Sequence, residues 1–132
     1  MIQTPLFKRS FTLLVVIGIL HIGATFLYLY SNVWWFDMVL HFLSGALVAM
    51  GVILLCQVCF KSLDRDKKKL IWFSFLAVMA IGFLWEMFEV HYGITFISDG
   101  IVYGTDTASD LMLDVSGGLL GSLYAFRFLP KP

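Results

Sequence analysis

The segment Asp106–Phe128, DTASDLMLDVSGGLLGSLYAFRF, decides the fold. It is long enough to cross a bilayer, yet it contains Asp110 and Asp114. As a span, it brings carboxylates into the membrane; as an interfacial helix, it lies on the surface. Three other segments have plainer compositions: Phe11–Tyr30, interrupted only by His21, Asp37–Phe60, and Leu70–His91. Each has roughly the 20 apolar residues that a crossing helix needs. With Asp106–Phe128 as the fourth, the chain reads as an all-α, polytopic membrane protein: a four-transmembrane-helix bundle in one membrane domain, residues 1–132.

Composition supports this class. Of 132 residues, 60% are hydrophobic and 14% charged, with a mean hydropathy of +0.89. Soluble domains are about 45–50% apolar and about 25% charged. A water-soluble globule is therefore excluded, and so is a disordered chain, which requires low hydrophobicity. Nine Lys and Arg balance nine Asp and Glu, so no nucleic acid is expected as partner. Lys8 and Arg9 precede the first apolar run as in a signal peptide. That run is long, no A-x-A site follows it, and it ends in the aromatic belt YLYSNVWWF, residues 28–36. It reads as a retained span.

Charge sets the orientation. Lys8 and Arg9 precede span one, Lys61, Arg65 and Lys67–Lys69 lie between spans two and three, and Arg127 and Lys131 follow span four. Four spans put every cation on one side, which the positive-inside rule makes cytoplasmic, with both termini there. Asp64 and Asp66 share that side; the other seven acids fall in the outer half or outer loops. The run DRDKKK is then a solvated turn, and residues 93–105 an outer interfacial loop in which Asp99 serves as a turn residue before Gly100. Cys56 and Cys59 form C-x-x-C inside an apolar helix facing a reducing compartment, which suits packing better than redox chemistry.

The ionisable residues carry the functional signal, because charge within a bilayer is costly and usually faces a bundle interior. At 1.5 Å per residue, Glu86, His41 and Asp110 fall at one level, about 6 Å below the outer boundary. Asp37, Glu89 and Asp106 form a layer above it, Asp114 lies deeper, and His21 falls near mid-membrane. Asp37 and His41 share a helical face, as do Glu86 and Glu89. Asp106, Asp110 and Asp114 continue into the small residues Gly117, Gly118 and Gly121, which allow close helix approach. Asp37 and Asp106 also suit helix N-caps, His21 suits a helix–helix hydrogen bond, and His91 suits solvent. Since no Lys or Arg is available outside, a cation, shared protons or strong hydrogen bonds must neutralise the acids. His41, Glu86, Glu89, Asp110, Asp37, Asp106 and Asp114 are therefore the candidate ligands of a divalent metal. Mixed oxygen and nitrogen donors suit Zn, Mn, Fe or Mg. A metal with an open position could activate water or polarise a phosphoryl oxygen.

The stretches WFDMVLHFLSGALVAMG (35–51), GFLWEMFE (82–89) and DTASDLMLDVSGGLLGSL (106–123) resemble the YjdF-like family of small bacterial inner-membrane proteins of unknown function. They are more distantly similar to VanZ-like proteins, associated with glycopeptide-antibiotic resistance. The shared pattern falls on Asp37, His41, Gly45, Trp85, Glu86, Glu89, Asp106, Asp110 and Gly118. This chain departs from both at Asp114, where Asn is usual, and from VanZ-like proteins at Glu89, where Gln is more common. The resemblance implies a multi-pass protein of the bacterial plasma membrane, without an established reaction. Three functions are compatible with these residues. The first is a metal site acting on a lipid or lipid-linked substrate. The second is a proton- or cation-coupled transporter, although no repeat or broken helix pair is visible. The third is a non-catalytic envelope protein that binds a lipid or a partner. Membrane lipids are the expected partners, and a second copy of the chain is another, because four helices bury little surface.

Overall fold

The computed structural model describes residues 4–60 and 66–129. Among them the chain is helical: α1 (Pro5–Phe26), α2 (Leu29–Asn32), α3 (Phe36–Cys59), α4 (Lys67–His91) and α5 (Ile101–Ala125), with 3-10 turns at Ile97–Asp99 and Phe126–Phe128. Three of these, α1, α3 and α4, are long and apolar enough to cross a membrane. The 25 residues of α5 would extend about 38 Å, more than a hydrocarbon core of about 30 Å, but they include three carboxylates. Lys61, Asp64, Arg65 and Lys131, four of the charges used to orient the chain, lie outside the described residues.

Local chemistry sets the helix ends. Thr4 caps α1 by accepting from the Phe7 amide at 3.3 Å, with Pro5 in the first turn, where its missing N–H costs nothing. Asp66 caps α4 by accepting from the Lys69 amide, which holds its carboxyl below the usual carboxylate range. The first span is not continuous over residues 11–30. Helix α1 stops at Phe26, Tyr28 takes a left-handed φ of 53°, and the chain restarts in α2. In an unbroken helix His21 and Tyr30 would be about 13.5 Å apart along the axis and on opposite faces. The break instead brings the Tyr30 hydroxyl to 2.6 Å from His21 Nδ1. The connection between α4 and α5, expected over 93–105, is also shorter. Gly100, at φ 61°, starts α5 directly, so residues 101–105 are helical. Their exposed apolar side chains, Ile101 and Val102 among them, show no helical periodicity from which this start could be read.

Helix α3 is the centre of the bundle; it packs against α1, α4 and, most extensively, α5. Small residues make the α3–α5 contact. A Cβ on Gly45 would strike the Asp114 carbonyl, and one on Gly117 would strike the Phe42 carbonyl. A Cβ on Gly121 would come within 2.6 Å of the Ala46 carbonyl oxygen. On the neighbouring face, a Cβ on Gly118 would meet Val78 of α4 at 2.9 Å. The glycine stripe of α5 is thus wedged between α3 and α4, as the close-approach reading of Gly117, Gly118 and Gly121 anticipates. At the end remote from Asp37, Leu6, Met50, Ile53, Cys56, Leu70 and Ala125 form an apolar core. Cys56 therefore packs, while Cys59 is exposed. Most of α1 presents Phe11, Leu14, Val15, Ile19 and Ile22 outward.

The glycines predict opposite responses to added carbon. Gly117→Leu drives a side chain into backbone, and overpacking of this kind costs about 1–3 kcal/mol or more. The expected outcome is a lower unfolding midpoint in detergent or no folded monomer. At Gly51 an added Cβ meets nothing within 4 Å. Gly51→Ala is expected to keep or raise the midpoint, since Ala exceeds Gly in helix propensity by up to about 1 kcal/mol.

Candidate functional site

His41 is buried in the N-terminal half of α3, and both of its ring nitrogens face carboxylates. Nε2 lies 3.5 Å from Asp37 Oδ2 and 3.8 Å from Asp110 Oδ2. Nδ1 lies 3.4 Å from both oxygens of Asp114. The backbone accounts for this arrangement. Asp37 and His41 are four residues apart on α3, and Asp110 and Asp114 are four apart on α5, so each pair shares a face. The contact of Gly45 with the Asp114 backbone then brings the two faces together. Asp110 and Asp114 are 2% and 5% exposed, so they are shielded from the water that would otherwise solvate them.

The imidazole defines the chemistry. A neutral ring has one N–H donor and one lone pair. Donation from Nδ1 to Asp114 leaves the Nε2 lone pair facing Asp37 and Asp110. One donor atom from each of Asp37, His41 and Asp110 can be chosen so that all lie within 4.8 Å of one another. Ligands held tetrahedrally at about 2.1 Å from a metal are about 3.4 Å apart. The two Nε2–carboxylate distances are close to that spacing.

The other expected ligands make their contacts with neutral groups or solvent. Glu86 is buried on α4, and its Oε2 accepts from the Thr107 hydroxyl at 2.6 Å. That contact sets Glu86 beside the α5 residue almost one turn before Asp110. Its Oε1 is buried with no hydrogen-bond partner. Glu89 is buried and accepts from Trp85 Nε1 at 2.9 Å. Glu86 and Glu89 thus lie beside the cluster, held by neutral donors. Asp106 is exposed in the second turn of α5, outside the cluster, and caps nothing, because the helix begins five residues earlier. Asp37 is not a cap either; Trp35 occupies the N-cap of α3, and the Asp37 carboxylate reaches His41 instead. His21 bonds Tyr30 of α2 rather than a neighbouring span. His91 is exposed, as expected, and Asp99 closes the 3-10 turn before Gly100. The donor roles of Thr107 and Trp85 are not apparent from composition. Spacing offers a signal for both, since Thr107 is three residues from Asp110 and Trp85 four from Glu89.

A cavity of about 410 Å³ adjoins the cluster, with Asp37, His41 and Asp114 in its lining.

Thr107→Val removes the hydroxyl from Glu86 while preserving side-chain shape. A buried group left without its partner costs about 1–3 kcal/mol. A lower unfolding midpoint than that of the native protein is expected, measured by tryptophan fluorescence in detergent. An unchanged midpoint would show that this bond does not hold α4 to α5.

No curated protein and no solved structure matches the chain. A family model described as "Predicted membrane protein (DUF2238)" matches residues 3–131, nearly the whole length. Together with the three apolar helices, this match places the chain in that family of predicted membrane proteins.

Proposed function

We propose that the protein binds a divalent cation through Asp37, His41 and Asp110, on the outer side of a cell membrane, and that the bound ion acts on a lipid or lipid-linked substrate. The observation that carries this reading is the two-sided environment of His41. A metal-ligating histidine almost always gives its other N–H to a carboxylate or carbonyl, which fixes the tautomer and raises ligand basicity. Asp114 occupies that position at Nδ1, while Asp37 and Asp110 stand beside Nε2. Asp114 is thus a positioning residue and the other three are ligands. Two carboxylates and one imidazole suit Zn, Mn or Fe, with Mg also served by the oxygens. Glu86, Glu89 and Asp106 are not ligands in this reading. The likeness to YjdF-like and VanZ-like proteins agrees with a bacterial plasma-membrane location.

In this reading α5 is the fourth span, and both termini are cytoplasmic. Support comes from the way α5 turns Asp110 and Asp114 inward while wedging its glycines between α3 and α4. A helix lying flat on the surface has no need of that contact.

Metal analysis of protein purified in detergent tests the site. About one ion per chain is expected. His41→Ala and Asp110→Asn lose stoichiometric metal, whereas Asp114→Asn weakens affinity by about 10–100-fold, the usual effect of removing such a supporting carboxylate. Native stoichiometry in folded His41→Ala, or no metal in the native protein under any loading condition, would overturn the reading. Topology is tested separately in a background with Cys56 and Cys59 replaced by Ala. Asp99→Cys is expected to react with a membrane-impermeant maleimide from outside intact cells, and a reporter fused to the C-terminus to remain inside. The opposite pattern would invert the orientation.

A further inference from the structure

The cavity beside the cluster has a charged end and an apolar body. Asp37, His41 and Asp114 stand at the charged end, and the hydrogen-bonded pair His21 and Tyr30 also lines the space. The apolar body includes Leu14 and Ile17 of α1 and Val78 and Ile81 of α4. Helix α1 rests mainly on α3, so the cavity occupies the space between α1 and α4. Its volume of about 410 Å³ is toward the small end of ligand pockets, which run from about 300 to 1,000 Å³. That size suits one hydrocarbon chain.

Charge selects the head of such a chain. The lining carries the carboxylates of Asp37 and Asp114 and, among the described residues, no Lys or Arg. Asp110 meets the same imidazole from outside the lining, which makes three carboxylates in all. Even with both lining histidines, His21 and His41, protonated, three ionised carboxylates leave a negative excess. An anionic head is repelled there, and a neutral head leaves the excess unanswered. A cationic nitrogen offsets it, and apolar surroundings strengthen the attraction. Tyr30 and Trp85 also line the cavity, and aromatic faces attract organic ammonium ions. An inorganic cation would use the charged end and leave the apolar length unfilled. We infer that the cavity binds a single-chain ammonium amphiphile, the charged nitrogen beside Asp37 and Asp114 and the chain between α1 and α4. This goes beyond the metal reading and needs no ion at the cluster, although both draw on Asp37.

Two substitutions test the two ends. Asp37→Asn removes a carboxylate, with Asp99→Asn, exposed and outside the lining, as its control. Gly18 lines the cavity, and a Cβ added there meets nothing within 4 Å, so Gly18→Leu grows into open space. Gly23 is equally open but outside the lining, so Gly23→Leu is the second control. Radiolabelled decyltrimethylammonium, whose charge is permanent, is titrated onto the protein in maltoside micelles, with empty micelles subtracted. Decanol, decyl sulfate and tetramethylammonium are titrated in the same way. Each titration is run with chelator and again with Mn²⁺. Decyltrimethylammonium is expected to bind about one per chain with chelator present, and no more tightly with Mn²⁺, which competes for Asp37. Asp37→Asn and Gly18→Leu are each expected to lose affinity by about tenfold or more, and both controls to behave as native. Native affinity in Asp37→Asn or Gly18→Leu would overturn the inference. So would decanol, decyl sulfate or tetramethylammonium binding as tightly, or binding that requires Mn²⁺. Absence of metal from the native protein sinks the metal reading and leaves this one standing.

Discussion

The near-contact of the α3 and α5 backbones is the constraint on which the molecule depends. Gly45 lies against the Asp114 carbonyl, and Gly117 against that of Phe42. Lipid supplies little hydrophobic drive between helices, so association rests on dispersion, hydrogen bonds and close approach. Glycine permits that approach because it presents no Cβ. The same contact sets the geometry of the cluster, because Gly45 is one turn beyond His41 on α3 and meets the backbone of Asp114 itself. The imidazole and the α5 carboxylates are consequently set at a fixed separation by the main chain, whatever freedom their side chains retain.

The acidic groups divide into two sets with different means of compensation. Asp37, Asp110 and Asp114 converge on one imidazole. Glu86 and Glu89 receive single neutral donors, Thr107 and Trp85. One hydroxyl or indole N–H offsets only part of the desolvation of a buried carboxylate. The unpartnered Oε1 of Glu86 makes that shortfall visible. The His41 set is held by contacts to one imidazole, whereas the glutamate pair is held by a hydroxyl and an indole N–H.

Much of this was legible in the sequence, and the residues show why. Aspartates repeating every four residues and running into glycines identify a face of α5, and the i,i+4 pair Asp37 and His41 identifies a face of α3. Counting along the helices brings His41 and Asp110 to one depth, and they are 3.8 Å apart. The count fails for Asp106 and for the α4–α5 connection because it assumes that α5 begins where the polar loop residues end. A glycine with positive φ starts the helix earlier than any apolar pattern indicates. It fails at Tyr28 because a left-handed residue within an aromatic run leaves hydropathy unchanged, so the tether between Tyr30 and His21 is hidden. Depth alone also cannot separate Glu86 from the cluster, since the choice between Thr107 and His41 is made by side-chain direction.

The peripheral seating of α1 has a consequence for how this fold divides its labour. Every carboxylate paired with the His41 ring belongs to α3 or α5, while α1 contributes Leu6 to the apolar core and packs mainly on α3. Displacing α1 would widen the cavity without stretching any contact in the charged cluster. A loosely seated wall and a rigid polar cluster, usually competing demands in so small a protein, are here assigned to separate helices.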